Sequence, residues 1–358
     1  MEIGSIFDIE VDALFKVGEN KFNLPFMEGK HYNYTSFFNT GRSAIEYLLG
    51  KVIASRYGNK IFVPYFICSS VTDAIMRAGY RAEFYSITDN FQIDIESLEK
   101  KYSRDVRAVY VVHYFGGYLD QKSYEYLMQL QSRGVVIIED ITLSIYTKHS
   151  HLIGFGNYVL GSLRKWLPIP DGAFLTSVNR IPEIDIPEGY NEYSFCYFVA
   201  QIMKGAYLNN SSLDKNEYLE ISKKAMKALF SDYTIRKMTV ISERYLSAYD
   251  PEKVIKARID NYDYLIKNTE EISFIRPVLS RLDGQVPFGF VVLCDQRDKL
   301  FQYLIANDIY CNIHWRIPGT FCDKISRKLS ESILTIPCDQ RYGKKEMDYI
   351  IGVLNAFN

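Results

Sequence analysis

Residues 60–87 read KIFVPYFICSSVTDAIMRAGYRAEFYSI, and three changes of pattern fall within that one stretch. KIFVPYFI is an apolar run that Pro64 cuts off, because proline has no N–H to offer a sheet ladder. SSVTDAIMRAG then places its apolar residues at helical spacing and stops at Gly79. AEFYSI resumes an extended pattern. Strand, helix and strand in that order predict a parallel pair with a helix crossing over it.

The same alternation continues downstream. DIESLEKKY (94–102) is a short charged helix with Asp94 and Ser97 placed for capping. RAVYVVHYFG (107–116) is a buried strand running to Gly116-Gly117, KSYEYLMQLQSRG (122–134) is helical, and VVIIED (135–140) is a strand, apolar until its last two residues. Such repetition predicts an α/β fold, a mostly parallel sheet flanked by helices on both faces. YSFCYFVAQIMKGAYL (193–208) and YLEISKKAMKALF (218–230) are amphipathic helices with no strand between them. Past Asp250-Pro251 a long helix leads into a smaller C-terminal α+β unit. The expected organisation is an N-terminal arm over 1–30, a large domain over 31–245 and a small C-terminal domain over 246–358.

Composition narrows the function classes. The 358 residues carry 42 Lys and Arg against 43 Asp and Glu, so no bulk charge draws the chain to nucleic acid or a membrane. The N-terminus is acidic, without a basic segment leading into an apolar one, and no long uncharged apolar run follows; a cytoplasmic location is expected. Six cysteines are scattered without C-x-x-C spacing and five histidines without an i, i+4 pair, which predicts reduced thiols and no metal site. GFGNYVLG (154–161) begins like a dinucleotide fingerprint, but its third glycine position is Val159. Walker and G-x-S-x-G motifs are absent as well.

Three features map to the ends of strands, where open α/β sheets gather their ligands. Asp140 ends VVIIED at a poorly hydrated rim, as a ligand contact or as an N-cap for the next element. In NTGRSAIEYLL (39–49), Gly41 permits close backbone approach, and a helix N-terminus with Arg42 beside it makes a phosphate seat. The same stretch also reads as a plain Ser43–Glu46 capping box. In GSLRKWLPIPDGA (161–173), Lys165 lies among Ser162, Arg164, Trp166 and Leu167. It is either a loop lysine snorkelling to solvent or an amine whose pKa falls by desolvation and like charge, and so a nucleophile toward a carbonyl. Helix N-terminus, strand-end aspartate and then lysine is the order of parts in a pyridoxal-phosphate enzyme.

These residues resemble the DegT/DnrJ/EryC1/StrS family, the sugar-aminotransferase branch of the fold-type-I pyridoxal-phosphate enzymes. NTGRSAI is similar to its Asn-Ser-Gly-Thr-Ser-Ala stretch, VVHYFGGYLDQ to its Val-His-x-Tyr-Gly segment, and VIIEDITLS to its Ile-Glu-Asp element. KWLPIPDGAFLTS resembles its lysine turn, and FVVLCDQRDKLFQYLIANDIYCNIHW and ILTIPCDQRYGKKEMDYIIGVL its C-terminal elements. The resemblance implies pyridoxal 5'-phosphate as cofactor, Lys165 as the Schiff-base lysine and Asp140 as partner of the pyridine nitrogen. It implies Gly41, Arg42, Ser43 and Ser162 around the phosphate, Cys68 against the ring, and His314 as a substrate contact. An aminotransferase acting on a keto sugar, nucleotide-linked, with a donor such as glutamate is the implied activity, in a homodimer. Departures are Leu143 where the family has Gln, Cys68 where it has a ring-stacking aromatic, and Arg42 where it has a small hydroxyl residue. The phosphate-binding asparagine that the family draws from a neighbouring subunit has no counterpart that can be placed here. They keep open dehydration or elimination, a non-sugar acceptor, or a non-catalytic relative.

Overall fold

The computed structural model describes residues 2–9, 22–30, 32–53, 58–182, 186–209, 213–318 and 322–357. Residues 10–21 of the expected N-terminal arm lie outside them. The arm's first strand, β1 (Ile3–Gly4), pairs in parallel with a strand far down the chain, Ile309–Tyr310, so this end is held by the C-terminal unit.

The central sheet is built from β2 (Tyr34–Phe38), β3 (Lys60–Pro64), β4 (Arg81–Tyr85), β5 (Val106–Val112), β6 (Val136–Asp140), β7 (Tyr158–Ser162) and β8 (Ala173–Ser177). Its order is β2-β8-β7-β6-β5-β3-β4, with β4 through β7 running parallel and β8 antiparallel to both neighbours. Helices α1 (Gly41–Tyr47), α2 (Ser69–Arg77), α3 (Ile95–Lys101) and α4 (Gln121–Ser132) connect these strands. Asp94 and Asp120 cap α3 and α4 by accepting the N–H of Ser97 and Ser123. The apolar runs explain the packing: Ile61, Phe62, Val63, Val109, Ile137 and Ile138 are at most 1% exposed, each contributing about 1.5–3 kcal/mol by burial. The mostly parallel α/β expectation therefore holds.

One boundary differs. β5 ends at Val112, short of Gly116, because Phe115 and Gly116 adopt φ of 56° and 101° and turn the chain. A Cβ on Gly116 would stand 2.3 Å from the Val286 carbonyl oxygen, so glycine is required there.

After the sheet come α5 (Glu192–Leu208), α6 (Lys215–Leu229), α7 (Val240–Ala248) and α8 (Pro251–Asn268), the last capped by Asp250 with Pro251 in its first turn. The C-terminal unit adds β9 (Arg276–Pro277), β10 (Phe290–Leu293), α9 (Arg297–Ala306), β11 (Ile309–Tyr310), α10 (Lys324–Ser332), β12 (Ile333–Ile336) and α11 (Lys344–Asn355). β10 is flanked antiparallel by β9 and β12 over an apolar core of its own, with Tyr262, Leu300, Ile336 and Ile350 buried. No described helix is long and apolar enough to cross a membrane.

Candidate active site

The carboxyl ends of β3, β5, β6 and β7 meet the start of α1 and α2 around a cavity of about 210 Å³. From β3 the chain runs to β4 on one side, and from β4 it crosses back to β5 on the other side of β3, which makes the switch point where such sheets bind ligands. Gly41, Arg42, Cys68, Asp140, Ser162 and Lys165 all line this one cavity. Ser43 and His314 do not.

Strand alternation separates the two acids that end β6. Glu139 faces away from the cavity, where it accepts from the amides of Gly154 (2.9 Å) and Phe155 (2.7 Å) and lies 2.7 Å from Nε2 of His113. Burial works against its charge, but His113 and these amides outweigh it and hold the carboxyl below its usual range. Asp140 faces the cavity and is 8% exposed. Its Oδ2 accepts from the Tyr110 hydroxyl at 2.7 Å and its Oδ1 from the Thr142 amide at 2.8 Å. Each oxygen keeps acceptor capacity for a further donor. Burial, reinforced by the charge of Asp140, pushes the Tyr110 hydroxyl far above its ordinary range, so it stays protonated and donating.

Lys165 ends a short 3₁₀ turn, Leu163–Lys165, directly after β7. The turn is clasped from both sides. Thr142 accepts from the Ser162 amide through Oγ1 (3.1 Å) and from the Trp166 indole through its carbonyl (2.7 Å). Gln340 donates to the Trp166 carbonyl at 2.6 Å. Trp166 and Leu167 are buried on the core side, which leaves the lysine to the cavity. The Lys165 side chain is half-buried, and its Nζ makes no hydrogen bond to any described residue. Burial pushes the amine below its ordinary pKa and Arg164 adds to that, while Cys68 and Asp140 pull the other way. The Pro-x-Pro-Asp-Gly run after it has its own anchor: Asp171 accepts from the hydroxyls of Thr239 (2.7 Å) and Ser242 (2.5 Å), at the start of α7. Burial raises the Asp171 carboxyl to about 6.

At the start of α1 the expected Ser43–Glu46 capping box is not formed. Thr40 is the cap, accepting the Ser43 amide at 3.1 Å. The Ser43 hydroxyl donates to Asn39 Oδ1 at 2.8 Å, buried behind the turn, and Glu46 pairs with Arg77 at 2.6 Å. A Cβ on Gly41 would lie 3.9 Å from that of Ser162, which shows how closely the two segments approach. Arg42 donates to the Leu229 carbonyl, with Phe230 and Tyr233 rings 5.5 and 5.3 Å from its guanidinium. Cys68 Sγ is 3.1 Å from the Ser70 hydroxyl, and Leu143 also sits on the wall. His314 lies behind the wall, Nδ1 2.9 Å from the Thr335 hydroxyl, and its neighbour Trp315 takes the position facing the cavity. Burial, with the charge of Lys165, pushes the His314 imidazole down to about 3, so it is neutral at pH 7.

Thr40, Tyr110, Thr142 and Trp315 are wall residues to which sequence reasoning gave no site role, and Arg164 had one only as a like charge beside Lys165. Thr142, two residues beyond Asp140, and Trp315, next to His314, carried a signal by adjacency alone.

Residues 18–157 match the DegT/DnrJ/EryC1/StrS aminotransferase family, a span holding Gly41, Cys68 and Asp140. Over this span the chain is similar to that family. The fold extends the likeness past Lys165. A Streptococcus pneumoniae protein solved in its PLP form superposes with a TM-score of 0.70 at 16% identity, over 99% of this chain and 98% of that one. PseC of Helicobacter pylori, an aminotransferase involved in the biosynthesis of pseudoaminic acid, gives 0.68 at 14% identity over 99% and 98%. E. coli GDP-4-keto-6-deoxy-D-mannose-3-dehydratase with bound hydrated PLP gives 0.63 at 15% identity over 90% and 88%. No curated protein matches the sequence. The fold is thus the one these solved structures share.

Proposed function

We propose that the chain is a pyridoxal-phosphate-dependent aminotransferase that moves an amino group from an amino acid such as glutamate to a keto sugar, nucleotide-linked. The observation that carries this reading is the shared cavity of Lys165 and Asp140: an amine without a hydrogen-bond partner among the described residues and a fixed carboxylate with spare acceptor capacity. These residues fit the cofactor. Lys165 would bond its aldehyde, Asp140 its ring nitrogen, and Gly41, Arg42 and Ser162 would lie about its phosphate. When bound, the cofactor supplies a ring that draws electrons from the carbon being deprotonated.

The chain's own residues do the rest. Burial lowers the pKa of Lys165 Nζ and so favours its unprotonated form, the one that can act as nucleophile and then as the base that takes and returns the proton at the donor's Cα. Tyr110 and Thr142 hold the Asp140 carboxylate in one orientation, so its charge is in place before any ligand arrives. Thr142 also fixes the lysine turn, and so sets the distance between acid and amine from both ends. Trp315, Phe230 and Met226 add apolar side chains to the wall. The homodimer, the cytoplasmic location and the division at residues 31 and 246 belong to the same proposal. Resemblance supports the first, the scattered and unbridged cysteines the second, and the separate C-terminal core the third.

A second reading, dehydration or elimination on the same cofactor, is favoured by Leu143 and Cys68 standing on the wall where the family has a Gln and an aromatic. One experiment separates them. Holoprotein mixed with glutamate in a single turnover should convert to the pyridoxamine form, followed by absorbance; uptake of the cofactor without conversion would refute transamination.

A further inference from the structure

We propose that Arg164, together with Arg42, forms a two-guanidinium seat for the phosphate group of the cofactor; this rests on the cofactor reading above. Both arginines line the cavity beside Gly41 and Ser162. Neither makes an ion pair with any described carboxylate: Arg42 has the Leu229 carbonyl, and Arg164 the faces of Tyr193 and Tyr197, 5.8 and 6.0 Å from their ring centroids. The acid that Arg164 senses, Asp171, has its oxygens taken up by Thr239 and Ser242. Two arginines and Lys165 therefore line a cavity whose one wall acid among the described residues is Asp140.

Without an anion that arrangement is costly for Arg42, whereas for Arg164 burial is outweighed by Tyr193, Tyr197 and Asp171, which raise its guanidinium. Burial, then the like charges of Arg77 and Arg164, push the Arg42 guanidinium below its ordinary range, offset only in part by Tyr233 and Glu46. A phosphate dianion removes the cost, because its oxygens accept the parallel N–H pairs of a guanidinium. The tyrosines on α5 explain how Arg164 is held: its guanidinium lies against both rings and bonds the Tyr197 hydroxyl, and one such bond leaves most of its five N–H donors for an anion. A purely structural arginine would face a carboxylate or a run of carbonyls.

The test compares pyridoxal phosphate with pyridoxal, which lacks the phosphate but keeps the aldehyde and ring. Kd for each is measured by absorbance titration on wild type and Arg164→Met, whose thioether fills the space of the arginine stem. The expected result is a pyridoxal Kd unchanged within about twofold and a phosphate preference (the ratio of the two Kd values) reduced roughly 10- to 100-fold, the loss of one charge-assisted contact. Arg164→Lys keeps the charge without the fork and should lose roughly 3- to 10-fold, which carries the test where the methionine variant does not fold. An unchanged ratio in a variant that still binds both compounds overturns the proposal. Wild type that binds neither compound instead overturns the cofactor reading on which it rests.

Discussion

Asp140→Asn separates charge from shape at the strand-end acid. The wild-type carboxylate receives two donors, the Tyr110 hydroxyl and the Thr142 amide, and is 8% exposed. An asparagine keeps an oxygen for Thr142 and can turn its NH₂ toward the Tyr110 oxygen, so stability should fall by only about 1 kcal/mol. Asp140→Ala strands both buried donors at about 1–3 kcal/mol each, a loss of about 2–6 kcal/mol. Activity should respond differently. Removing one fixed charge aimed at the reacting system costs about 3–4 kcal/mol, so Asp140→Asn should slow the glutamate half-reaction roughly 10²- to 10³-fold. Urea denaturation of the cofactor-free proteins gives the first pair of numbers, and single-turnover absorbance the last. Asp140→Asn retaining activity within threefold would refute the electrostatic role. Equal destabilisation of the two variants would make Asp140 a structural cap.

Other expectations follow from the same contacts. The rate of covalent cofactor uptake should rise with pH and level off with a midpoint below 10.5, because the unprotonated Lys165 amine is the reacting species and its pKa is lowered; a midpoint at or above 10.5 would contradict this. Trp166→Phe leaves the Thr142 carbonyl without its donor and shrinks a fully buried ring, and should cost about 2–4 kcal/mol in urea denaturation. Asp171 binds its proton more tightly folded (about 6) than in an ordinary carboxylate (3.8), so the folded state gains most at low pH. Stability should fall by about 3 kcal/mol as pH rises from about 4 to about 6, and Asp171→Asn should abolish that slope.

How much was visible beforehand depended on how local each determinant is. Strand β6 and its terminal acid were legible because a charge ending four apolar residues has few places to go. Lys165 was legible through Trp166, Leu167 and the Pro-x-Pro-Asp-Gly run, which together announce a buried, turned segment. The Ser43–Glu46 box failed because two rivals were closer to hand or stronger: Thr40 caps α1, and Glu46 finds Arg77 on α2. Thr142 and Tyr110 owe their roles to strand register, which no single segment encodes. Arg164 was legible only as a like charge beside Lys165; its tyrosine platform comes from α5, which the sequence does not place. His314 and Trp315 exchanged places because which of two adjacent side chains faces a cavity is decided by the aromatic packing of Phe115 and Phe288 around the imidazole.

The account turns on the amine at position 165, and borohydride reduction of the holoprotein followed by peptide mass analysis tests it most directly. The predicted result is a single reduced pyridoxyl-phosphate adduct on Lys165, lost in Lys165→Met. An adduct on a different lysine, or a protein that takes up cofactor and yields no adduct at Lys165, would contradict it.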